Sequence, residues 1–257
     1  MAAHEWIVVA YFSGLTLAAW LSPRPPARRR QATVLASVVV MTVFVVALTD
    51  LRALRAWIPL VYLFAGYWLP ALLVMSPRGE QFETWLDRSD TILRRWLPPI
   101  PAAVVPLLEL AYLFCYPLVP LSFIVVWISG RDLDVERFWL AVLLSGYACY
   151  ITLPWLISRP PRMRRNSAIA ETGIRHLNAR VLKGWSHQFN TFPSGHVAVA
   201  MSAAAGAGWV SAQAGVIVGA VAGAIAVGAA AGGYHYVVDV MLGLVVAAIA
   251  VAVAAIL

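Results

Sequence analysis

His235 and Asp239, four residues apart, lie near the end of a strongly apolar sequence. From Gln188 to Leu257, Asp239 is the single charged side chain. An ionisable residue inside a membrane is costly and is by default a functional candidate. Positions i and i+4 share one face of a helix, so Asp239 can accept a hydrogen bond from one ring nitrogen of His235. The other nitrogen is then left basic, which predicts a nucleophile or a proton shuttle.

The segment Pro193-Ser194-Gly195-His196 precedes another apolar stretch and is a second candidate. Proline suits the first turn of a helix, so a helix is predicted to begin here. The free N–H groups of a first turn can bind an anion, and Gly195 would let that anion approach the backbone closely. Ser194 adds a hydroxyl donor and His196 a titratable group. Taken alone, the segment could equally be a helix start with an incidental histidine.

Four arginines, Arg159, Arg162, Arg164 and Arg165, begin the connector from Ser158 to Phe192. Guanidinium groups match phosphate oxygens well. The chain has a formal net charge of +7, and Lys183 is the one lysine among its 19 basic residues. The arginines lie in short connectors, so anionic lipid head groups or a phosphate substrate explain them better than nucleic acid does. A topological role, placing these connectors on the cytoplasmic side, is the alternative.

The elements that must position these residues are membrane helices. Hydrophobic residues make up 61% of the chain and charged residues 12%, against about 45–50% and about 25% in soluble domains. The sequence therefore predicts an all-α, polytopic transmembrane bundle with about eight spans. The apolar stretches run from Trp6 to Leu21, Ala32 to Leu48, Ala56 to Met75, Ala102 to Ile128, Phe138 to Ile157, His196 to Ala212, Ala214 to Gly232 and Tyr236 to Leu257.

The other long connector, from Ser76 to Pro101, predicts an amphipathic helix in the membrane interface. Its residues Trp85, Ile92, Leu93 and Trp96 recur near helical spacing between charged side chains. Such a helix more often anchors a bundle than takes part in catalysis. We divide the chain into N-terminal transmembrane helices, residues 1–78, and a catalytic membrane domain, residues 79–257.

The predicted topology brings the candidate residues together. From His196 one span crosses the membrane, the chain turns near Gln213, and the next span returns to His235. Both histidines and the cluster from Arg159 to Arg165 should then lie at one membrane face. Two histidines, a carboxylate and several arginines are the groups needed to handle a phosphate.

Pro193-Ser194-Gly195-His196 and His235-x-x-x-Asp239 resemble the second and third signature motifs of the type 2 phosphatidic acid phosphatase superfamily. That superfamily shares its core with vanadium-dependent haloperoxidases. Arg159-Pro160 resembles the end of the first motif. The resemblance covers about residues 80 to 257. Within the superfamily, the sequence is similar to the branch of the inositol phosphorylceramide synthases and related bacterial proteins.

The resemblance implies a role for each matching residue. His235 would attack phosphorus and form a phosphohistidine, with Asp239 orienting it. His196 would protonate the leaving oxygen. Arg159, Ser194 and Gly195 would bind the phosphate.

Two positions depart from the family pattern. Thr152 stands where the first motif has a lysine, and Ala229 where the third has an arginine. The phosphate clamp is therefore expected to have moved into the cluster from Arg159 to Arg165. Arg162 is the main substitute, because two preceding prolines stiffen the backbone that holds it. Arg164, Arg165 and Lys183 are further cations that could serve.

The function predicted first is a lipid phosphatase acting on a lipid phosphate or a polyprenyl pyrophosphate. Transfer of a phospho-alcohol head group between lipids would use the same histidines. A non-catalytic scaffold or transporter is the alternative outside enzymes, favoured by the two missing cations. Membrane lipids are the expected partners, with no nucleic acid, and no cofactor or metal is expected. We expect an integral protein of the plasma (inner) membrane; arginine placement favours a cytoplasmic site and the resemblance an extracytoplasmic one.

Overall fold

The architecture comes from a computed structural model, which describes residues 1–21, 23–49, 51–74, 80–164, 173–187 and 189–257. Arg165, part of the expected phosphate clamp, and residues 76–79 of the first long connector lie outside these ranges. Within them the regular secondary structure is helical, apart from an isolated bridge between Ser158 and Asn190.

Thirteen helices are present in the described ranges. They are α1 (Ala3–Leu21), α2 (Pro26–Ala47), α3 (Arg52–Trp57), α4 (Pro59–Leu72), α5 (Glu80–Arg94), α6 (Val105–Leu113), α7 (Cys115–Ser129), α8 (Asp132–Tyr150), α9 (Pro161–Arg164), α10 (Gly173–Trp185), α11 (Gly195–Val210), α12 (Ala212–Ala231) and α13 (Val237–Ala255).

Local sequence signals account for many of the helix ends. Proline occupies the first turn of α2, α4 and α6, where its missing N–H costs no hydrogen bond. Two serines cap later helices: Ser194 accepts from the Val197 N–H in α11, and Ser211 accepts from the Ala214 N–H in α12. The α11–α12 connection is therefore very short, which makes the two helices antiparallel neighbours.

Helices α8 and α11 lie at the centre of the bundle. Helix α11 packs against α7, α8, α12 and α13, while α8 also contacts α1 and α4. One hydrophobic core joins the N-terminal helices to the rest, with Phe12 and Leu63 packing in the same cluster as Phe138, Tyr147 and Ala203. The N-terminal helices thus support the central helices from one side.

Three helices in the described ranges are long and apolar enough to cross a membrane: α2, α12 and α13. Helices α6 and α7 together would make a fourth span, bent by 58°. This composition is that of an integral membrane protein. The sequence predicts about eight spans, which is more than the three or four that qualify by length and composition. The counts differ because several of the apolar stretches form helices that are short. Helix α11, with 16 residues, measures about 24 Å at 1.5 Å per residue, less than the ~30 Å of a hydrocarbon core.

The predicted amphipathic helix is present as α5, with an unusual distribution of side chains. Trp85 and Ile92 are exposed, whereas the acidic residues Glu83 and Asp90 are buried. A soluble amphipathic helix buries its apolar face and exposes its charges. Helix α5 instead directs Glu83 and Asp90, together with Leu86, toward the protein and leaves Trp85 and Ile92 exposed, so part of its apolar surface is available to lipid.

Candidate active site

The two histidines predicted from the sequence contact each other. Nδ1 of His196 lies 3.4 Å from Nε2 of His235, and Nδ1 of His235 lies 3.4 Å from Oδ2 of Asp239. His235 and Asp239 are buried, whereas His196 is partly exposed. When Nδ1 of His235 carries the proton and donates it to the carboxylate, Nε2 keeps its lone pair and faces His196.

The loop between α12 and α13 sets the position of His235. The Ala229 carbonyl accepts the N–H groups of Tyr234 and His235, both at 2.9 Å. Gly233 has a φ of +68°, a conformation that favours glycine. Its carbonyl accepts the Arg162 N–H at 3.0 Å. Ala229 stands where the third motif usually has an arginine, and its carbonyl thus helps to form the turn that holds His235.

The start of α13 is fixed by a residue from α5. Oδ1 of Asp90 accepts the Val237 N–H at 2.8 Å, and Oδ2 accepts from Nε of Arg94 at 2.6 Å. Asp239 accepts the Tyr236 N–H through Oδ2 at 3.3 Å. Two carboxylates therefore hold the first turn of α13, as acceptors do at helix N-termini.

The start of α11 is packed more tightly than the sequence indicated. Tyr150 fills the space that a side chain at Gly195 would need. The Gly195 N–H already donates to Oγ1 of Thr191 at 3.1 Å, and Ser194 is fully buried. The Ser194 hydroxyl serves as the helix cap. Two N–H groups of the first turn, those of Gly195 and Val197, therefore have partners within the protein, in contrast to the free donors expected from the sequence.

Thr152 occupies the first-motif lysine position and has a structural contact there. Its hydroxyl donates to the Phe192 carbonyl at 2.7 Å. This bond ties the end of α8 to the segment before Pro193. The segment is also held by the Asn190 side chain, which donates to the Tyr234 carbonyl at 2.8 Å. Connections from α8 and the α12–α13 loop thus hold the second motif beside the third.

A polar cavity opens beside the two histidines. Its empty volume is about 390 Å³. The lining residues are Tyr67, Tyr112, Pro160, Arg162, Leu182, Ser186, Phe189, Asn190, Thr191, His196, Tyr234 and His235. Arg162 contributes a positive charge to this wall. Its guanidinium carbon lies 4.1 Å from the centre of the Tyr234 ring, a cation–π contact that holds the side chain in place.

Arg159, the other arginine expected to bind phosphate, is paired with a carboxylate in α5. Its Nη2 and Nε donate to Glu83 at 2.7 and 3.1 Å, and its backbone N–H donates to Glu83 at 2.8 Å. Arg164 also pairs with Glu83 and lies 3.1 Å from Asp87. Arg159 is not among the residues that line the polar cavity. The structure thus separates Arg162 from Arg159 and Arg164, while Lys183 is exposed on α10.

The electrostatic environment keeps His235 neutral. Burial, together with the positive charge of Arg162, lowers the pKa of His235 to about 3. A neutral imidazole is the form that can act as a nucleophile near neutral pH. The pKa of Glu83 changes in the direction opposite to the one that burial alone would cause. Burial raises its pKa, but hydrogen bonds from Arg159 and the charge of Arg164 hold it below the ordinary value of 4.5.

Two tyrosines at the site were not predicted from the sequence. The Tyr112 hydroxyl lies 3.4 Å from Nδ1 of His196, and its ring stacks on Tyr234 with centroids 4.3 Å apart. Tyr67 reaches the polar cavity from α4. Glu109 is buried and pairs with Arg175 of α10 at 3.0 Å. Tyr112 and Tyr67 lie in apolar stretches whose periodicity indicates only helix, so nothing local shows that they face the histidines. Glu109 differs, because an ionisable residue in an apolar stretch is a functional candidate from the sequence alone.

In the described part of the chain, no three His, Cys, Asp or Glu side chains come together as metal ligands would. The groups that do converge are two histidines, a carboxylate and an arginine around a polar cavity. They lie in a bundle of apolar helices and are the groups with which a membrane protein can handle a phosphate.

The comparison with protein families agrees with this class. The profile of the PAP2 superfamily matches residues 82–253, from α5 through most of α13. This is more than half of the chain, and the chain belongs to the PAP2 superfamily. The motif-based prediction of the type 2 phosphatidic acid phosphatase superfamily is thereby confirmed. Membership indicates an enzyme of the phosphoric ester hydrolase kind. No curated protein and no solved structure matches the chain.

Proposed function

We propose that this protein is a lipid phosphatase of the plasma membrane, which hydrolyses a lipid phosphate or a polyprenyl pyrophosphate through a phosphohistidine on His235. The observation that carries the proposal is the relay from Asp239 through His235 to His196, with 3.4 Å at each contact. The relay lies beside a cavity that presents Arg162.

In the first step, Nε2 of His235 forms a bond to phosphorus, and the bond from phosphorus to the leaving oxygen breaks. Asp239 stabilises the positive imidazole through Nδ1–H, and His196 gives its proton to the leaving oxygen. In the second step, His196 takes a proton from water and the hydroxide attacks phosphorus. The bond from phosphorus to Nε2 of His235 breaks, and inorganic phosphate leaves. A head-group transferase would admit an alcohol in place of that water.

The present contact between the histidines has a consequence for this reaction. A phosphoryl group on Nε2 of His235 would occupy the place that Nδ1 of His196 now approaches. Substrate binding must therefore move the His196 ring aside while keeping it near the leaving oxygen. His196 is the less buried of the two histidines, which supports the idea that it is the ring that moves.

Charge on the transferring phosphoryl group must be balanced by fixed cations and N–H donors. Arg162 supplies a cation on the cavity wall. We propose that Arg159 supplies a second when a substrate phosphate displaces Glu83 from its guanidinium group. The start of α11, at Ser194 and Gly195, would contribute the partial positive charge of the helix end, because the Ser194 hydroxyl and the Gly195 N–H already have partners.

We further propose that all eight apolar regions cross the membrane. The short helix α11 would do so at the centre of the bundle, and the short helix α4 would do so at its outside, where Val61 and Trp68 are exposed. This arrangement supports the lipid substrate, because a site at the end of membrane helices meets a lipid head group without removing the lipid from the bilayer. The N-terminal helices, residues 1–78, would then support the catalytic membrane domain of residues 79–257.

The test is phosphate release from a panel of lipid phosphates and polyprenyl pyrophosphates by the purified full-length protein. His235→Ala is expected to abolish turnover, and His196→Ala to lower it by about 10²–10⁴-fold. Enzyme quenched in alkaline denaturant, in which a phosphohistidine is stable, should carry phosphate on His235. Near-normal turnover by His235→Ala would refute the phosphohistidine mechanism.

Two reagents test the same site without mutation. Orthovanadate is expected to inhibit competitively, since it mimics the trigonal-bipyramidal geometry of phosphoryl transfer. EDTA is expected to leave activity unchanged. Loss of activity with EDTA that magnesium restores would instead indicate a metal-dependent reaction. Release of a phosphorylated alcohol in place of inorganic phosphate, when an alcohol acceptor is added, would identify the head-group transferase.

A further inference from the structure

A second cavity adjoins the polar one and has the opposite character. Its empty volume is about 580 Å³. Apolar side chains from α4 and α7 form much of its wall, including Leu60, Leu63, Phe64 and Val119. Two residues, Tyr67 and His196, line both cavities. The apolar cavity therefore begins where the polar cavity ends, at the histidine proposed to act as general acid.

The position of His196 indicates what the apolar cavity would hold. In the proposed reaction His196 protonates the leaving oxygen, so the leaving group must lie against it. For a phosphorylated lipid the leaving group is the alcohol that carries the hydrocarbon chain. A chain attached to that oxygen would extend away from the phosphate, past Tyr67 and His196, into the apolar cavity.

The opening of this cavity faces the surroundings of the bundle at α4. Phe64 lines the cavity and is also 39% exposed. Its neighbours Val61 and Trp68 are exposed on the same helix. An opening beside exposed apolar side chains of a membrane helix is reached from the hydrocarbon core of the bilayer. A hydrocarbon chain can thus enter sideways without crossing water, where its exposure would be unfavourable.

We propose that the cavity between α4 and α7 binds the hydrocarbon chain of the leaving group, and that α4 determines which chains fit. This inference rests on the proposed function. Helix α4 lies outside residues 82–253, which match the PAP2 superfamily. The N-terminal segment therefore contributes a substrate wall to the catalytic helices, in addition to its packing against α8.

The direct test compares two phosphate monoesters, dodecyl phosphate and ethyl phosphate, on the full-length protein in bilayer nanodiscs. Leu60→Trp fills the cavity and excludes the chain, so it should lower kcat/KM for dodecyl phosphate at least about tenfold, the scale of discrimination by a hydrophobic pocket. With ethyl phosphate the change should stay within about twofold, because a short chain does not reach α4.

Val61→Trp is the matched control. Val61 is adjacent in α4, is 62% exposed and does not line the cavity. It should leave both substrates unaffected. Equal losses on both substrates by Leu60→Trp, or no loss on either, would overturn the chain-binding site.

A second measurement separates this inference from the proposed function. Dodecyl phosphonate with a diazirine at the chain end is not hydrolysed at its carbon–phosphorus bond, so it reports binding without turnover. Irradiation should attach it to peptides of α4 and α7, and excess unlabelled dodecyl phosphonate should suppress this labelling.

The control probe is dodecanol with the same diazirine, which lacks the phosphonate. Equal labelling of α4 and α7 by both probes would show a cavity for any membrane chain and would overturn the assignment. If the protein released no phosphate from any substrate but the phosphonate probe labelled α4 and α7 selectively, the proposed hydrolysis would fail and the chain-binding site would stand.

Discussion

At the scale of single residues, the site combines a neutral histidine with a cation fixed by an aromatic ring. Arg162 rests on Tyr234, Tyr234 stacks on Tyr112, and the Tyr112 hydroxyl reaches His196. The stack thus connects the cavity cation to the proposed general acid. Arg159 belongs to a different cluster, centred on Glu83.

Arg162→Ala should lower kcat/KM at least about tenfold, the equivalent of ~1.4 kcal/mol of transition-state stabilisation. A loss of the same order is expected for Arg159→Ala, because Thr152 and Ala229 provide no cation. Arg28→Ala is the control, since Arg28 contacts the Val74 carbonyl away from the site. Steady-state kinetics with one lipid phosphate gives the comparison. Small and equal effects of all three substitutions would assign the arginines to the membrane.

Tyr112→Phe removes one hydroxyl and keeps the stack on Tyr234. We expect kcat to fall by about three- to tenfold for an alkyl phosphate, the scale of one lost hydrogen bond. The effect should disappear with p-nitrophenyl phosphate, whose leaving group needs little protonation from His196. Tyr62→Phe is the control: it removes a different buried hydroxyl, that of a residue in α4, and should change neither rate. An equal loss on both substrates would show that Tyr112 acts on folding and not through His196.

At the scale of secondary-structure elements, α5 is the helix whose role differs most from the predicted one, which was to anchor the bundle in the membrane interface. Its buried acids at positions 83 and 90 contact two different parts of the site. Glu83 holds the connector after α8 through Arg159, and Asp90 holds the first turn of α13. A single helix therefore sets the relative positions of the first and third motifs.

Glu83→Gln should lower the melting temperature, because it removes the charge that compensates Arg159 and Arg164. The expected loss is about 1–3 kcal/mol, the range for a buried group that loses its hydrogen-bond partner. Glu80→Gln, at the exposed start of the same helix, should change little. Thermal unfolding in nanodiscs measures both.

Wild type and Glu83→Gln also test how stability depends on pH. Because the folded-state pKa of Glu83 is held below 4.5, its contribution to stability is complete above pH 4.5 and is lost as pH falls through the folded-state value. The difference in melting temperature between wild type and Glu83→Gln should therefore shrink below pH 4.5. A difference that stays constant down to pH 3 would argue against the ionic contact.

At the scale of the whole molecule, the order of the last three helices places the motifs. Helix α11 leaves the site, α12 returns after the turn at Ser211, and α13 leaves again. His196 and His235 are thus at one end of the bundle, with α5 and the connector after α8, and the α11–α12 turn is at the other end. The apolar cavity at α4 opens sideways between these ends.

This arrangement predicts the membrane sidedness of two exposed positions, Arg95 and Gln213. Arg95→Cys, after α5, and Gln213→Cys, at the start of α12, should react with a membrane-impermeant maleimide from opposite sides of sealed vesicles. The matched reaction in opened vesicles shows that each cysteine is reachable. The side on which Arg95→Cys reacts is the side of the active site. Reaction of both positions from one side would contradict the order of spans.

The sequence by itself determined the helical class, the family and the residues proposed to form the histidine relay. Helix formation in an apolar chain follows from local hydrophobicity. The pairing of His235 with Asp239 follows from helical geometry, because the four-residue spacing alone places both on one face. Pro193 indicated a helix start from local chemistry, and α11 begins two residues later, at Gly195, with Ser194 as its cap.

Only the tertiary structure decided which side chains share the site with the relay. Tyr112 and His196 are 84 positions apart, and Asp90 and Val237 are 147 apart. Such contacts depend on the rotation and crossing angle of each helix, which local patterns do not fix. The two arginines show the same limit: Arg159 and Arg162 are three residues apart, yet packing directs one toward Glu83 and the other toward the cavity. The apolar cavity exists because α4 and α7 meet beside His196, and no single segment encodes that meeting.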